Sequence, residues 1–91
     1  MTNPPFAVAW PPTAQRDLNR LPEKVASAVI EFAYGTLAEA PHRGGAELHF
    51  ELEGYRSARR GDFGVIYGID DDRHLVHIAA IGHRGGVYRQ R

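Results

Sequence analysis

The chain has 91 residues, room for one hydrophobic core and not two, so a single domain over 1–91 is expected. Its 43% hydrophobic and 24% charged residues with no cysteine exclude a disordered chain, a disulfide framework and thiolate chemistry. No stretch approaches the roughly 20 apolar residues of a membrane span, and Met1–Trp10 lacks the pattern of an export signal, so a cytoplasmic protein without membrane contact is expected.

In chain order, Phe6–Trp10 is a short apolar run closed by Pro11-Pro12, which reads as a strand ending at a rigid turn. Thr13 is placed to cap a helix whose Ala14, Leu18 and Leu21 share one face. Pro22 opens a second helix with Glu23 in its first turn, where the helix dipole favours an anion. Val25, Val29, Phe32, Ala33 and Leu37 line one side of it, and Pro41 stops it. So short a link predicts an antiparallel helical hairpin.

The period then changes from helical to alternating. Leu48, Phe50 and Leu52 fit either a strand or a loop anchored by two leucines. Tyr55–Arg60, Phe63–Ile69 and His74–Ile81 read as strands separated by Gly61-Asp62 and by Asp70–Arg73. Links this short require antiparallel pairing. The expected architecture is therefore α+β: an N-terminal strand, an antiparallel helical hairpin, then a three- to four-stranded antiparallel meander with the helices packed on one face.

A formal net charge of +0 argues at first against a nucleic-acid partner, but the charge is sorted along the chain. Residues 1–53 carry Arg16, Arg20, Lys24 and Arg43 against seven carboxylates, a balance of −3; residues 54–91 carry seven arginines against Asp62, Asp70, Asp71 and Asp72, a balance of +3. Local field rather than net charge steers a polyanion such as RNA. Two clusters stand out. Arg56, Arg59 and Arg60 precede the Gly61-Asp62 turn, with alternation sending Arg56 and Arg60 to one face and Arg59 to the other. His83, Arg84, Tyr88 and Arg89 surround Gly85-Gly86 and bring donors, a titratable ring and a stacking surface close together. The plain alternatives are a solvated strand edge and a frayed basic terminus. In an antiparallel meander the two clusters come within reach of each other.

The run Leu52-Glu53-Gly54-Tyr55-Arg56-Ser57-Ala58-Arg59-Arg60-Gly61-Asp62-Phe63-Gly64-Val65-Ile66-Tyr67, followed by Ile81-Gly82-His83-Arg84 and Val87-Tyr88-Arg89, resembles the RelE/ParE superfamily of bacterial toxin–antitoxin toxins, most closely its RelE branch. Arg16-Asp17-Leu18 and Leu21-Pro22 fit the family's helical hairpin. The resemblance implies a ribosome-dependent endoribonuclease that cuts mRNA without a metal or other cofactor. Its partners would be mRNA on the ribosome, ribosomal RNA and a cognate antitoxin whose amphipathic, acidic segment lies across the helices and the basic sheet face. Carried over by position, Arg59, Arg84 and Tyr88 would be catalytic, and Arg56, Arg60, His83 and Arg89 would support them on phosphate or ribosomal RNA.

One departure bears on activity. The family's Gly-Asp-Tyr-Arg-Val stands here as Gly61-Asp62-Phe63-Gly64-Val65, so glycine replaces an arginine. Either cleavage is weakened by orders of magnitude, leaving an antitoxin-binding homologue, or Arg60 or Arg56 serves the vacant place. A ParE-like gyrase inhibitor, which needs no nuclease centre, is the remaining alternative. Elsewhere, His42, His49, His74 and His77 lack metal-ligand spacing, and Asp70–Asp72 form a turn rather than a calcium loop. Gly44-Gly45 lacks the setting of a phosphate cradle. Tyr55 and Tyr67 read as packing residues on the sheet.

Overall fold

The computed structural model describes residues 4–83. Strand β1 (Ala7–Ala9) leads through Trp10 and Pro11 into α1 (Pro12–Asn19), and α2 (Glu23–Phe32) continues into one wide turn of helix over Ala33–Leu37. A two-residue strand, β2 (Ala46–Glu47), and a short turn of helix over Phe50–Leu52 precede the main strands β3 (Tyr55–Arg60), β4 (Phe63–Asp70) and β5 (Leu75–His83). The five strands form one sheet in the order β1-β5-β4-β3-β2. The meander pairs are antiparallel, whereas β1 lies parallel to β5, Val8 opposite Val76. A parallel neighbour needs a long connection: the two helices carry the chain from β1 to the far edge of the sheet, and the meander β2 to β5 brings it back.

Local chemistry sets the element ends. Thr13 does not cap α1: it lies inside the first turn of a helix that starts at Pro12 behind Pro11, with no side-chain cap. Pro12 has no N–H to be satisfied, and the fixed φ of two successive prolines delivers the chain in helical direction. Pro22 occupies the cap of α2 rather than its first turn. Leu48–Leu52 resolves into a loop: Phe50 sits at φ 61 and is 91% exposed, so its apolar character reports neither strand nor core. At the other edge, the Phe6 ring stacks on His74 at 3.8 Å, Ala7 N–H donates to the His74 carbonyl, and the His74 ring bonds the Pro4 carbonyl at 2.7 Å. These contacts hold β1 in its parallel register.

The core lies between the helices and one face of the sheet. Ala14, Val29, Phe32 and Leu37 come from the helical side; Ala58, Phe63, Val65, Tyr67, Val76, Ile78 and Ile81 come from the strands. Ile78 and Ile81 are three apart, so strict alternation would place them on opposite faces. A bulge resolves this: Ile66 faces Ala80 but Tyr67 faces Ile78, which leaves Ala79 as the extra residue and returns both isoleucines to the core. Tyr67 is fully buried and donates its hydroxyl to the Pro41 carbonyl at 2.8 Å. Burial raises its phenol above the ordinary value of 10.0, with the neighbouring Arg56 guanidinium partly opposing the shift. The Gly44-Gly45 segment passes so close to β3 that a Cβ on Gly45 would lie 2.5 Å from the Ser57 carbonyl oxygen, so this glycine serves close packing.

Candidate nucleic-acid interface

Alternation along β3 divides its three arginines as expected, and the structure then gives each face a different setting. Arg56 turns toward the helices. Its Nη2 donates to the carbonyls of His42 at 2.8 Å and Gly45 at 2.7 Å, Glu47 lies 3.7 Å from Nη1, and the side chain is 15% exposed. Arg60 is on the same face; its guanidinium carbon lies 4.7 Å from the centre of the Phe32 ring and its Nη2 donates to Thr36 Oγ1 at 3.3 Å. These contacts tie the loop after the helices, and the wide turn itself, to the sheet.

Arg59 is exposed on the opposite face, where no helix of the described residues packs. The ladder places it beside Gly64, and Gly64 beside Gly82. Arg60, Phe63 and His83 form the adjoining row on the helix side. The Gly61-Asp62 loop, with Gly61 at φ 58, is a two-residue hairpin connection in which glycine supplies the positive φ. That tight turn fixes the register bringing the Arg59 end of β3 and the His83 end of β5 to one end of the sheet. The two clusters meet there as far as the described residues reach; Arg84, Tyr88 and Arg89 lie outside them.

The same geometry corrects one expectation. Arg56 and Arg60 cannot serve the place left by Gly64, because the sheet lies between them and it. Arg59 is its ladder neighbour. Sequence reasoning also missed a role for Asp17, which lies off the apolar face of Ala14, Leu18 and Leu21. Its Oδ2 accepts the Ile81 N–H at 3.0 Å, pinning the upper part of β5, where β1 no longer pairs, one residue before Gly82. A carboxylate on an amphipathic helix carries no mark of such a reach in the sequence. The remaining histidines have local partners: His42 Nε2 lies 2.9 Å from Asp71, and the His77 ring packs across Gly68.

The family model of the ParE toxin of type II toxin–antitoxin systems, parDE, matches residues 8–88. The chain belongs to the ParE toxin family. Within it, the chain is 53% identical over 85 residues to Toxin RelE of Mycobacterium tuberculosis, covering 93% of this chain and 88% of that protein. To Toxin RelG of the same organism it is 44% identical over 86 residues, covering 94% and 99%. In structure it superimposes on the toxin–antitoxin complex RelBE2 of M. tuberculosis with a TM-score of 0.86 at 45% identity, covering 88% of this chain and 92% of that one. Free RelE of E. coli shares the fold, with a TM-score of 0.70 at 14% identity over 96% and 99% of the two chains. The chain is thus a type II toxin with a RelE-like α+β fold.

Proposed function

We propose that this toxin is a ribosome-dependent mRNA endoribonuclease of the bacterial cytoplasm whose helix-free sheet face grips the message, neutralised by a cognate antitoxin. The observation that carries this reading is the Arg59–Gly64–Gly82 row, an exposed cation with two glycines as its ladder neighbours at the strand end that leads into Arg84. In the reaction the ribose 2′-oxygen bonds to phosphorus as the bond to the 5′-oxygen breaks, leaving a cyclic phosphate and a 5′-hydroxyl. Negative charge grows on the phosphoryl oxygens, and fixed guanidinium forks stabilise it without reorganisation. Arg59 and Arg84 take that role, and Tyr88 assists proton transfer. His83 and Arg89 supply further contacts to RNA; Arg56 and Arg60 act indirectly, by holding the sheet against the helices.

The antitoxin has a surface suited to an amphipathic helix. Trp10, Leu18, Ile30 and Tyr34 line a groove of about 420 Å³ between α1 and α2, and the Trp10 indole N–H donates to the Tyr34 hydroxyl at 2.8 Å.

The gyrase-inhibitor reading is favoured by Gly64 and by the ParE family model, so the test separates the two. The chain is induced alone in a bacterial host beside its Arg59→Ala and Arg84→Ala variants, while mRNA ends and growth are followed. Growth arrest with new cuts inside translated codons, lost in both variants, is expected. Arrest without cuts, together with inhibition of supercoiling by the purified chain, would establish the gyrase reading. Unimpaired growth with folded protein would leave antitoxin binding as the remaining activity.

A further inference from the structure

Tyr55 and His77 share the helix-free face with Arg59. Tyr55 lies across the ladder from Gly68, and Gly68 from His77, so the two aromatic residues flank a position that carries no side chain. The His77 imidazole fills the space above it, where a Cβ on Gly68 would lie 2.4 Å from two ring atoms. Glycine inside a central strand weakens it, and here it leaves the room that the His77 ring occupies. The Tyr55 ring meets the imidazole at 81°, centroids 5.9 Å apart. Both residues are only half-buried.

Between this pair and the arginine the described strand residues of the face are small apart from Ile66, itself only 9% exposed, and none of them is a carboxylate. Its rows run Arg59–Gly64–Gly82, then Ser57–Ile66–Ala80, then Tyr55–Gly68–His77. Among the paired strand residues of that face the first acidic one, Asp70, lies one row further out, where it accepts the Arg73 N–H at 3.1 Å. Arg59 and Tyr55 are four residues apart on β3, about 13 Å along the strand. A cation for the backbone at one end of an uncharged strip and an aromatic pair at the other is the arrangement that single-stranded nucleic acid uses: charge holds phosphate and rings stack on bases.

We propose that Tyr55 and His77 form a base-stacking subsite, taking the base of a nucleotide that flanks the scissile phosphate on the same RNA strand. This rests on the endoribonuclease reading and adds to it where substrate affinity arises. The subsite binds without touching the reacting atoms, so its loss raises KM and leaves kcat in place.

The test uses the intact toxin on ribosomes programmed with a short mRNA, and the same toxin alone with a short single-stranded oligoribonucleotide. Variants are His77→Ala, His77→Phe and Tyr55→Ala, and the RNAs carry an abasic ribose at each position in turn. His77→Ala is expected to raise KM about ten- to a hundredfold with kcat unchanged, and His77→Phe to restore it, which separates stacking from a folding defect. One abasic position should reproduce the loss in the wild type and add nothing in His77→Ala. Wild-type KM in both His77→Ala and Tyr55→Ala, or an abasic penalty that persists in full in both, overturns the subsite even if cleavage is robust. Failure of the nuclease reading looks different: no cleavage by the wild type, yet ring-current shifts at His77 and Tyr55 that vanish with one abasic oligonucleotide. Absence of both cleavage and these shifts overturns both proposals.

Discussion

The two faces of β3 carry the same residue type to different ends. On the helix side Arg56 and Arg60 are folded into contacts with carbonyls, a hydroxyl and an aromatic ring; on the other, Arg59 stands exposed beside two glycines of the ladder. The contrast teaches that an arginine cluster in a strand is two populations interleaved at period two. Its count overstates the cations available to a polyanion. A side chain held by fixed acceptors would have to give those up to reach phosphate, whereas Arg59 lies exposed on the face opposite the described helices.

The sharpest way to break this contrast is to truncate the exposed arginine. Arg59→Ala should lower cleavage of ribosome-bound mRNA about 10²- to 10³-fold, the scale for removing one preorganised donor to a developing oxyanion. Its unfolding free energy should fall by no more than about 1 kcal/mol, the scale of an exposed polar or ionic contact. A large loss of stability instead would place Arg59 with the structural pair. Leu37→Ala, at a fully buried site under the helix-side face, should show the reverse: about 2–5 kcal/mol lost in urea unfolding, with cleavage per folded molecule unchanged. Arg56→Ala should cost less, about 1–3 kcal/mol, by orphaning the His42 and Gly45 carbonyls. If its cleavage fell as steeply as that of Arg59→Ala at equal folded fraction, the two faces would share one function after all.

The smallest effect concerns pH. Folding raises the pKa of Tyr67 above 10.0, so the native state holds this proton more tightly than the unfolded chain. That stabilisation is complete below about pH 10 and is lost as pH rises through the folded-state value. The urea midpoint of the wild type should therefore fall across this alkaline range. In Tyr67→Phe that part of the slope disappears, although the variant starts lower because the Pro41 carbonyl loses its donor. Equal slopes in the two proteins would show that Tyr67 does not titrate with unfolding.

Much of this molecule was legible because local rules agree with the fold. Tyr55–Arg60 was read with both ends correct, since an alternating run closed by Gly-Asp leaves a hairpin little freedom. The apolar face of α2 emerged from its helical spacing, and Val29, Phe32, Ala33 and Leu37 are all buried. The opposite destinations of Arg59 and Arg60 followed from period two alone. The candidate site was less legible. Glu51-Leu52 and Phe50 mimicked a strand because alternation does not distinguish a pleated edge from a loop whose backbone turns through positive φ. Asp17 gave no sign of its role because its partner, the Ile81 N–H, is 64 residues away.

By itself, then, the sequence determined the order of elements, the antiparallel meander, the sorting of charge toward the C-terminal half and the split of the arginines between faces. Those depend on neighbours within a few residues, where period and turn chemistry act directly. The parallel seating of β1 on β5, the bulge that recovers Ile81 for the core, the pin from Asp17 and the pairing of Tyr55 with His77 across Gly68 were decided by the tertiary structure. Each needs two distant segments to be held at a register that no local periodicity records, and that register exists only once the helices and sheet have closed on one core.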